Sequence, residues 1–388
     1  MSVNGLAGRV LVVDLAQRTA EASPLNMAMV ERFGGGLGLC IGLARQYLDP
    51  SCDALGPSNT VVIGAGALVG TDAPASSRVY AVAKLPASGS VGWCGAGGMT
   101  FGCQLKNAGF DHVVLQGASP EPVYLLIEND RVEIRDASML RGQGTGETCD
   151  FLIKTHAPAG VISIGTAGEN LVSFSMAYLD GVSTLGRGGL GAVFGAKNLK
   201  AVVVRGSRGV GVADPGAYRA LSGSLIERIR SYPHLESWQD LGLLASLPVV
   251  SPDVYRRMRI RRMACVSCPI GDKDVMVVPT GDGAHRYACT SSAVNLFMPL
   301  VYGMKDPAEA SGCVALLDEL GMDMFEFFGL LSWAQAAQNK GTDFACGAPV
   351  DVSSSESVRS WAYAVANRMG MGDVLAEGFR GIARAFGE

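Results

Sequence analysis

The sequence predicts an α+β protein, with a glycine-rich, β-dominated N-terminal region followed by a mainly α-helical one. Three observations carry this. Of 51 glycines in 388 residues, 33 fall in residues 1–210 and 18 in residues 211–388. The first part holds short aliphatic runs punctuated by turn signals, the mark of strands. The second holds longer stretches with helix caps and stops. A chain of this length exceeds one comfortable core, so two domains are expected, residues 1–210 and 211–388. The boundary falls at Gly206-Ser207-Arg208-Gly209-Val210-Gly211.

In order along the chain, residues 9–15 read as a strand ending in a turn. Val61-Val62-Ile63, Val161-Ile162-Ser163-Ile164 and Ala201-Val202-Val203-Val204 read as buried strands. Residues 123–128 and 131–135, joined by Asn129-Asp130, read as a hairpin. In the second part, Asp306-Pro307 is a cap with proline at the first helical position, and that helix runs to Leu320 before Gly321. Asp323 opens another to about Asn339, stopped near Gly341. Further helices are expected over 355–369 and 374–386. Ile63-Gly64-Ala65-Gly66 and Ile164-Gly165-Thr166-Ala167-Gly168 both follow apolar strands and precede glycine-rich segments with an arginine, which suggests a duplicated half-domain.

Composition narrows the function. Charged residues are 18% and hydrophobic ones 48%, which excludes a disordered chain. A net charge of −4 argues against a general nucleic-acid binder. The N-terminus shows no basic stretch followed by an apolar one, and no run of about 18 apolar residues occurs, so neither a signal peptide nor a membrane span is expected. The expected location is cytoplasmic. There, ten cysteines read as thiols or metal ligands rather than disulfides.

Five segments can carry chemistry. Gly34-Gly35-Gly36-Leu37-Gly38 can cradle an anion with its backbone N–H groups, or mark a tight packing point. Gly95-Ala96-Gly97-Gly98 and Gly186-Arg187-Gly188-Gly189-Leu190-Gly191 let backbone approach a ligand, and Arg187 adds a planar fork for phosphate or a heterocycle edge. The alternative for both is a surface loop. Cys265-Val266-Ser267-Cys268-Pro269 can hold one metal or one face of an iron–sulfur cluster, or be an ordinary thiol pair. Arg256, Arg257, Arg259, Arg261 and Arg262 can dock an acidic electron carrier, although a solvated edge is the simpler reading.

Together these residues resemble the tungsten-containing aldehyde ferredoxin oxidoreductase family, from about Gly8 to the end. The resemblance rests on Gly8-Arg9, Phe33-Gly34-Gly35-Gly36-Leu37-Gly38, Ser77-Arg78, Lys84-Leu85-Pro86-Ala87-Ser88-Gly89 and Phe101-Gly102. It is densest over residues 164–172, Gly186-Arg187-Gly188-Gly189-Leu190-Gly191-Ala192-Val193 and Lys197-Asn198-Leu199-Lys200. It continues through Cys265-x-x-Cys268-Pro269-Ile270-Gly271 and Asp318-Glu319-Leu320-Gly321-Met322-Asp323.

The resemblance implies a β-rich domain that seats a bis-pterin tungsten cofactor (tungstopterin; molybdenum is the alternative), covered by helical domains. Arg78, Gly97, Gly98, Gly186, Arg187 and Gly188 would face the pterins and their phosphates, with a magnesium ion (Mg) bridging those phosphates. Asp318, Met322 and Asp323 would hydrogen-bond a pterin ring, since a carboxylate matches the donor edge of an aminopterin. Cys265 and Cys268 would ligate a 4Fe-4S cluster. The implied activity oxidises a small aldehyde to a carboxylate and passes electrons to ferredoxin.

The departures from the family pattern are also specific. The third cluster position is Asp272 rather than cysteine, and the family's later Asp-x-x-Gly-Leu-Cys motif has no counterpart here. Cys289 and Cys313 would replace the missing ligands only with a local change of fold. The family's glutamate run is replaced by residues 281–290, where His285 is the remaining candidate acid or base. Gly312 and Ala315 stand where some members carry an iron-binding Glu-x-x-His, so no such iron is expected. A missing lid domain would expose Phe325, Phe327, Phe328 and Trp333. Two readings follow: an oxidoreductase completed by a separate subunit or by homo-oligomerisation, or a non-catalytic pterin-binding subunit or truncated paralogue.

Overall fold

The computed structural model describes residues 4–280, 283–289, 293–341 and 349–387, with backbone alone for 279–280, 283–289 and 293–294. Twelve strands form the first part. They are β1 (Arg9–Asp14), β2 (Thr19–Pro24), β3 (Val61–Ala65), β4 (Arg78–Leu85), β5 (Ser90–Gly97) and β6 (His112–Gln116), then β7 (Val123–Glu128), β8 (Arg131–Asp136), β9 (Gly160–Ile164), β10 (Ala177–Leu179), β11 (Ser183–Thr184) and β12 (Leu199–Arg205). They make two six-stranded sheets, ordered β2-β1-β6-β3-β4-β5 and β11-β10-β9-β12-β7-β8. Reversing the second list shows the same topology in both. A hairpin opens each half, and its first strand pairs parallel with the last strand of that half, β1 with β6 and β7 with β12. The remaining pairs are antiparallel. The internal echo of the sequence is thus a duplicated fold, with Gly66 and Gly165 each directly following the corresponding strand, β3 and β9.

Alternation along each strand builds four layers. From β1, Leu11 and Val13 face a central core that also takes Ile162, Val202 and Val204 from the second sheet. Val10 faces outward with Leu39 and Leu43 of the helix Leu37–Tyr47. Val161 and Val203 likewise meet Cys149 and Leu152 of the helix Thr145–His156. The helix Phe101–Asn107 inserts against β9 and β12 between the sheets. It comes so close that a Cβ at Gly160 would stand 2.3 Å from the Phe101 Cα.

The second part carries the expected helices. Asp306 caps Pro307–Leu320 through the Ala308 N–H, and Gly321 ends it at φ 78°. Asp323 caps Met324–Asn339. The helix expected over 355–369 stops at Ala366, and the one expected over 374–386 is two, Met371–Ala376 and Gly378–Phe386, because Gly378 turns at φ 69°. A three-stranded sheet, β13 (Arg259–Met263), β14 (Lys273–Thr280) and β15 (Gly283–Cys289), was not read from the sequence. Its two outer strands lack the aliphatic runs that signal a strand.

Two expectations about surfaces change. Phe327 and Phe328 are buried, not exposed, because neighbouring helices and Tyr302, whose ring stacks on Phe328 at 5.1 Å, cover them. Phe325 is exposed, and Trp333 is half-buried against Phe386. Three of the clustered arginines, Arg256, Arg259 and Arg262, converge on Asp240. Arg257 and Arg261 are exposed without ion-pair partners among the described residues. The cluster is therefore largely a paired, solvated edge.

Candidate functional site

The two glycine-rich turns singled out in the sequence are equivalent parts of the duplicated fold. Gly97-Gly98 links β5 to the helix Phe101–Asn107. Gly186-Arg187-Gly188-Gly189 links β11 to the helix Leu190–Ala196. Strands β5 and β11 are the sheet edges that meet. A Cβ at Gly186 would lie 3.5 Å from the Gly95 nitrogen, and the Cys94 thiol donates to the Arg187 carbonyl at 3.3 Å. The first turn therefore leaves the end of β5, and the second runs alongside the same strand.

Around the first turn, Arg78 opens β4 directly opposite Gly97, exposed and without an ion-pair partner among the described residues. The Gly98 N–H donates to the Ser77 carbonyl at 2.8 Å. The Cys265–Cys268 loop is fastened to the same turn. Val266 N–H donates to the Met99 carbonyl at 3.2 Å, and the Cys265 Sγ lies 3.5 Å from the Met99 Sδ. A Cβ at Gly97 would stand 3.2 Å from the Cys265 Sγ and 3.8 Å from the Lys273 Nζ. Lys273 went unnoticed in the sequence, where a single lysine beside an acid carries no spacing signal.

Around the second turn, the Arg187 Nε donates to the Asp323 Oδ2 and its Nη2 to the Glu326 Oε2 at 3.3 Å. The Asp323 Oδ1 accepts from the Phe325 and Glu326 N–H groups at the helix start. Both oxygens of Asp323 are thus engaged. Met322 forms an isolated bridge with Ser175, which ties this segment to the loop after β9.

Asp318 is differently placed. Its Oδ1 accepts from the buried Tyr178 hydroxyl at 2.6 Å, while its Oδ2 has no hydrogen-bond partner among the described residues. Burial pushes its carboxyl up to about 7, with the Tyr178 hydroxyl opposing and Glu319 adding to the rise. The folded state therefore holds this proton more tightly than the unfolded state, whose carboxyl titrates near 3.8. Its contribution to stability is complete below pH 4 and disappears as pH rises through about 7. For the cofactor-free protein we expect urea denaturation to show a loss on the order of a few kcal/mol from this group between pH 4 and 8. Asp318→Asn should flatten that slope, and an unchanged slope would show that Asp318 is not its source.

The metal candidates do not converge. Asp272 Oδ2 accepts from the Trp238 Nε1–H at 3.1 Å. Among the described residues no three His, Cys, Asp or Glu side chains come together to hold a metal ion. Cys313 is buried in the core of the helices, where its thiol donates to the Ser355 carbonyl at 3.9 Å. The side chains of His285 and Cys289 lie outside the described residues.

The donor set thus fits an anionic, amine-bearing ligand at the paired turns. Arg78 presents a guanidinium without an ion-pair partner among the described residues, Arg187 keeps its Nη1 beside the contacts to Asp323 and Glu326, and Asp318 keeps an acceptor oxygen. It does not, among the described residues, complete an iron–sulfur ligand set.

Comparison with known proteins identifies the family. Residues 10–206 match the family model for the aldehyde ferredoxin oxidoreductase N-terminal domain, and residues 226–388 match the model for domains 2 and 3. The tungsten-containing aldehyde ferredoxin oxidoreductase of Pyrococcus furiosus is 32% identical, over 98% of this chain and 67% of its own length. That of Thermococcus kodakarensis gives the same identity and the same shares. The WOR-like subunit of a P. furiosus aliphatic sulfonate oxidoreductase is 27% identical over 96% of this chain and 66% of its own. Among solved structures, the active-site complex BamBC of benzoyl coenzyme A reductase superposes with a TM-score of 0.85 and 27% identity, covering 98% of this chain and 63% of that one. The chain spans about two thirds of the length of these relatives. With both family models matched in order and relatives 32% identical over 98% of its length, this chain belongs to the aldehyde ferredoxin oxidoreductase family.

Proposed function

We propose that this chain seats two pterins and their tungsten (or molybdenum) at the paired turns, as the cofactor-holding part of an enzyme that oxidises a small aldehyde to a carboxylate. The observation that carries the reading is the duplication: two equivalent strand-to-helix turns, after β5 and β11, side by side at the joined sheet edges. Two equivalent turns suit two equivalent ligands. When bound, the metal–pterin group would supply the two-electron redox step that no amino-acid side chain performs.

The chain's own residues bind and orient. Arg78 and Arg187 hold phosphate oxygens, and Mg would share that charge. The Asp318 Oδ2 accepts from the donor edge of a pterin ring, with Oδ1 already fixed by Tyr178. Gly97, Gly98, Gly186 and Gly188 admit the ligand to the backbone. The Met322 and Asp323 segment contributes backbone rather than carboxylate contacts, since the Asp323 oxygens are engaged. In this reading residues 1–210 are the pterin-seating domain and 211–388 the covering one. Electrons leave toward ferredoxin or another carrier, and a further subunit or a second copy completes the cover. No helix among the described residues is long and apolar enough to cross a membrane.

A second reading keeps the pterin seat and loses the electron exit. It is favoured by Asp272, whose carboxylate is taken by Trp238. Elemental analysis of anaerobically purified protein separates the two. About one tungsten or molybdenum per chain with phosphorus and about four iron supports the oxidoreductase. The same without iron supports the second reading, and absence of metal and phosphorus overturns both. If Cys265 and Cys268 hold iron, changing both to serine removes the iron absorbance while the circular dichroism stays unchanged; retained iron would show them to be ordinary thiols.

A further inference from the structure

Tyr178 lies on β10 directly opposite Thr184 of β11, two residues before the Gly186 turn. It is buried, and its hydroxyl donates to the Asp318 Oδ1 at 2.6 Å. A buried hydroxyl needs a partner, so the contact alone would be ordinary packing. Three further observations give it a role at the site.

The backbone of Asp318 is already held. The Thr145 hydroxyl donates to its carbonyl at 2.8 Å, and the next residue, Glu319, accepts the Gly146 N–H on Oε2 at 3.1 Å. On the other side, a Cβ at Gly165 would stand 2.5 Å from the Glu319 and Leu320 carbonyl oxygens. Only the side-chain torsions of Asp318 remain, and among the described residues the Tyr178 hydroxyl is the hydrogen bond that fixes them. The carboxylate is also half-used: Oδ2 has no partner among the described residues, yet it is not enclosed. Finally, its surroundings are acidic. The charged groups are Glu319 on its own helix, Glu147 at the start of the helix Thr145–His156, and Asp323, which Arg187 engages. β10 contributes only the neutral Tyr178 hydroxyl.

An ionised carboxylate in this place depends on hydrogen bonds rather than on a counter-ion. Tyr178 supplies one, against the burial that holds the carboxyl at about 7. A ligand N–H on Oδ2 would supply the next.

We propose that Tyr178 is a positioning residue for ligand binding: its hydroxyl aims the open Oδ2 of Asp318 and favours the ionised, accepting carboxylate, so that binding displaces a proton to solvent. This rests on the cofactor-seating reading above, and the ligand is the N–H-bearing edge of a heterocycle.

The test measures phosphorus and tungsten or molybdenum per chain after anaerobic dialysis from about pH 5 to about pH 9, in wild type, Tyr178→Phe and Asp318→Asn. Wild-type retention should weaken about tenfold per pH unit below the Asp318 midpoint, because there the ligand competes with a proton. Tyr178→Phe keeps the ring and its packing, and its profile should move upward by about one pH unit, the effect of one hydrogen bond to a charged acceptor. Asp318→Asn should retain less and lose the dependence. A second readout needs no cofactor. In cofactor-free protein, the urea stability lost as Asp318 ionises should also be lost about one pH unit higher in Tyr178→Phe. Tyr80→Phe is the control for this second readout. Tyr80 holds the same place in the first half, opposite Gly95 and two residues before Gly97, and its hydroxyl meets no carboxylate among the described residues. It should leave the transition where it is.

Equal loss of stability at every pH in Tyr178→Phe, with both profiles unmoved, would make the hydroxyl structural only and overturn the assignment. If Asp318→Asn loses phosphorus while Tyr178→Phe keeps the wild-type profile, Tyr178 alone falls. If wild-type protein carries no phosphorus, tungsten or molybdenum at any pH, the cofactor-seating reading falls and the ligand role of Tyr178 with it.

Discussion

Replacing Arg187 by alanine is expected to abolish pterin retention while leaving the fold standing. The side chain is 58% exposed, yet it bridges two regions, with its Nε on Asp323 and its Nη2 on Glu326. The guanidinium also lies 5.6 Å from the centre of the Phe325 ring. Its backbone is pinned by the Cys94 thiol and flanked by Gly186 at φ 100° and Gly188 at φ 118°. The fork is therefore presented from a turn that cannot easily re-aim it. Truncation leaves the buried Asp323 without its counter-ion, but Arg187 itself is mostly in solvent, so the stability loss stays at about 1–2 kcal/mol. Ligand retention should suffer far more, because both the charge and the planar fork disappear together. Arg187→Lys keeps the charge alone and should retain an intermediate amount. Phosphorus per chain after gel filtration measures this, with melting temperature as the control. Wild-type phosphorus in the alanine variant would remove Arg187 from the site.

Gly98→Ala is expected to be strongly destabilising for a single added methyl, at about 3 kcal/mol or more. The new Cβ would stand 2.0 Å from the Ser77 carbonyl oxygen and 2.8 Å from a Val79 methyl. Neither can yield cheaply. Ser77 O is backbone and already accepts from the Gly98 N–H, and Val79 is fully buried. The turn must move, and it would carry with it Met99 and the Cys265–Cys268 loop fastened to it. The expected result is a lower urea midpoint together with loss of bound cofactor. Gly209→Ala is the matched control, since nothing lies within 4 Å of its Cβ position; it should stay within about 0.5 kcal/mol of wild type. Equal midpoints for the two variants would mean that the first turn is looser than its contacts indicate.

Local signals in the sequence identify elements whose causes are local. The helix Pro307–Leu320 was legible because its cap, its first proline and its terminal Gly321 all lie within the element. The β7–β8 hairpin was legible because Asn129-Asp130 stands between an apolar run and an alternating one, and Asn129 adopts φ 53° there. The sheet of β13, β14 and β15 was not, since Arg259–Met263 reads as a charged edge and becomes a strand only by pairing with β14. The burial of Phe327 and Phe328 was missed for the same reason: the rings and helices that cover them come from elsewhere in the chain.

The candidate site divides in the same way. Its glycine turns, Arg78, Arg187, Asp318 and the Cys265–Cys268 loop could all be named from the sequence, because each lies in a contiguous motif. Tyr178, Glu326 and Lys273 could not, because each acts through a contact across the fold.

By itself, then, the sequence determined the family, the α+β character, the two glycine-rich turns and the absence of a third cysteine at position 272. These depend on residue type and short spacing, which backbone sterics translate directly into turns, caps and strands. Only the tertiary structure decided that the two turns meet along β5 and that Asp323 is engaged by Arg187 while Asp318 keeps an oxygen. It also decided that Asp272 turns to Trp238 and that Lys273 packs against the Gly97 turn. Burial and long-range pairing set the energy of each charged group, and neither quantity exists until distant segments have packed.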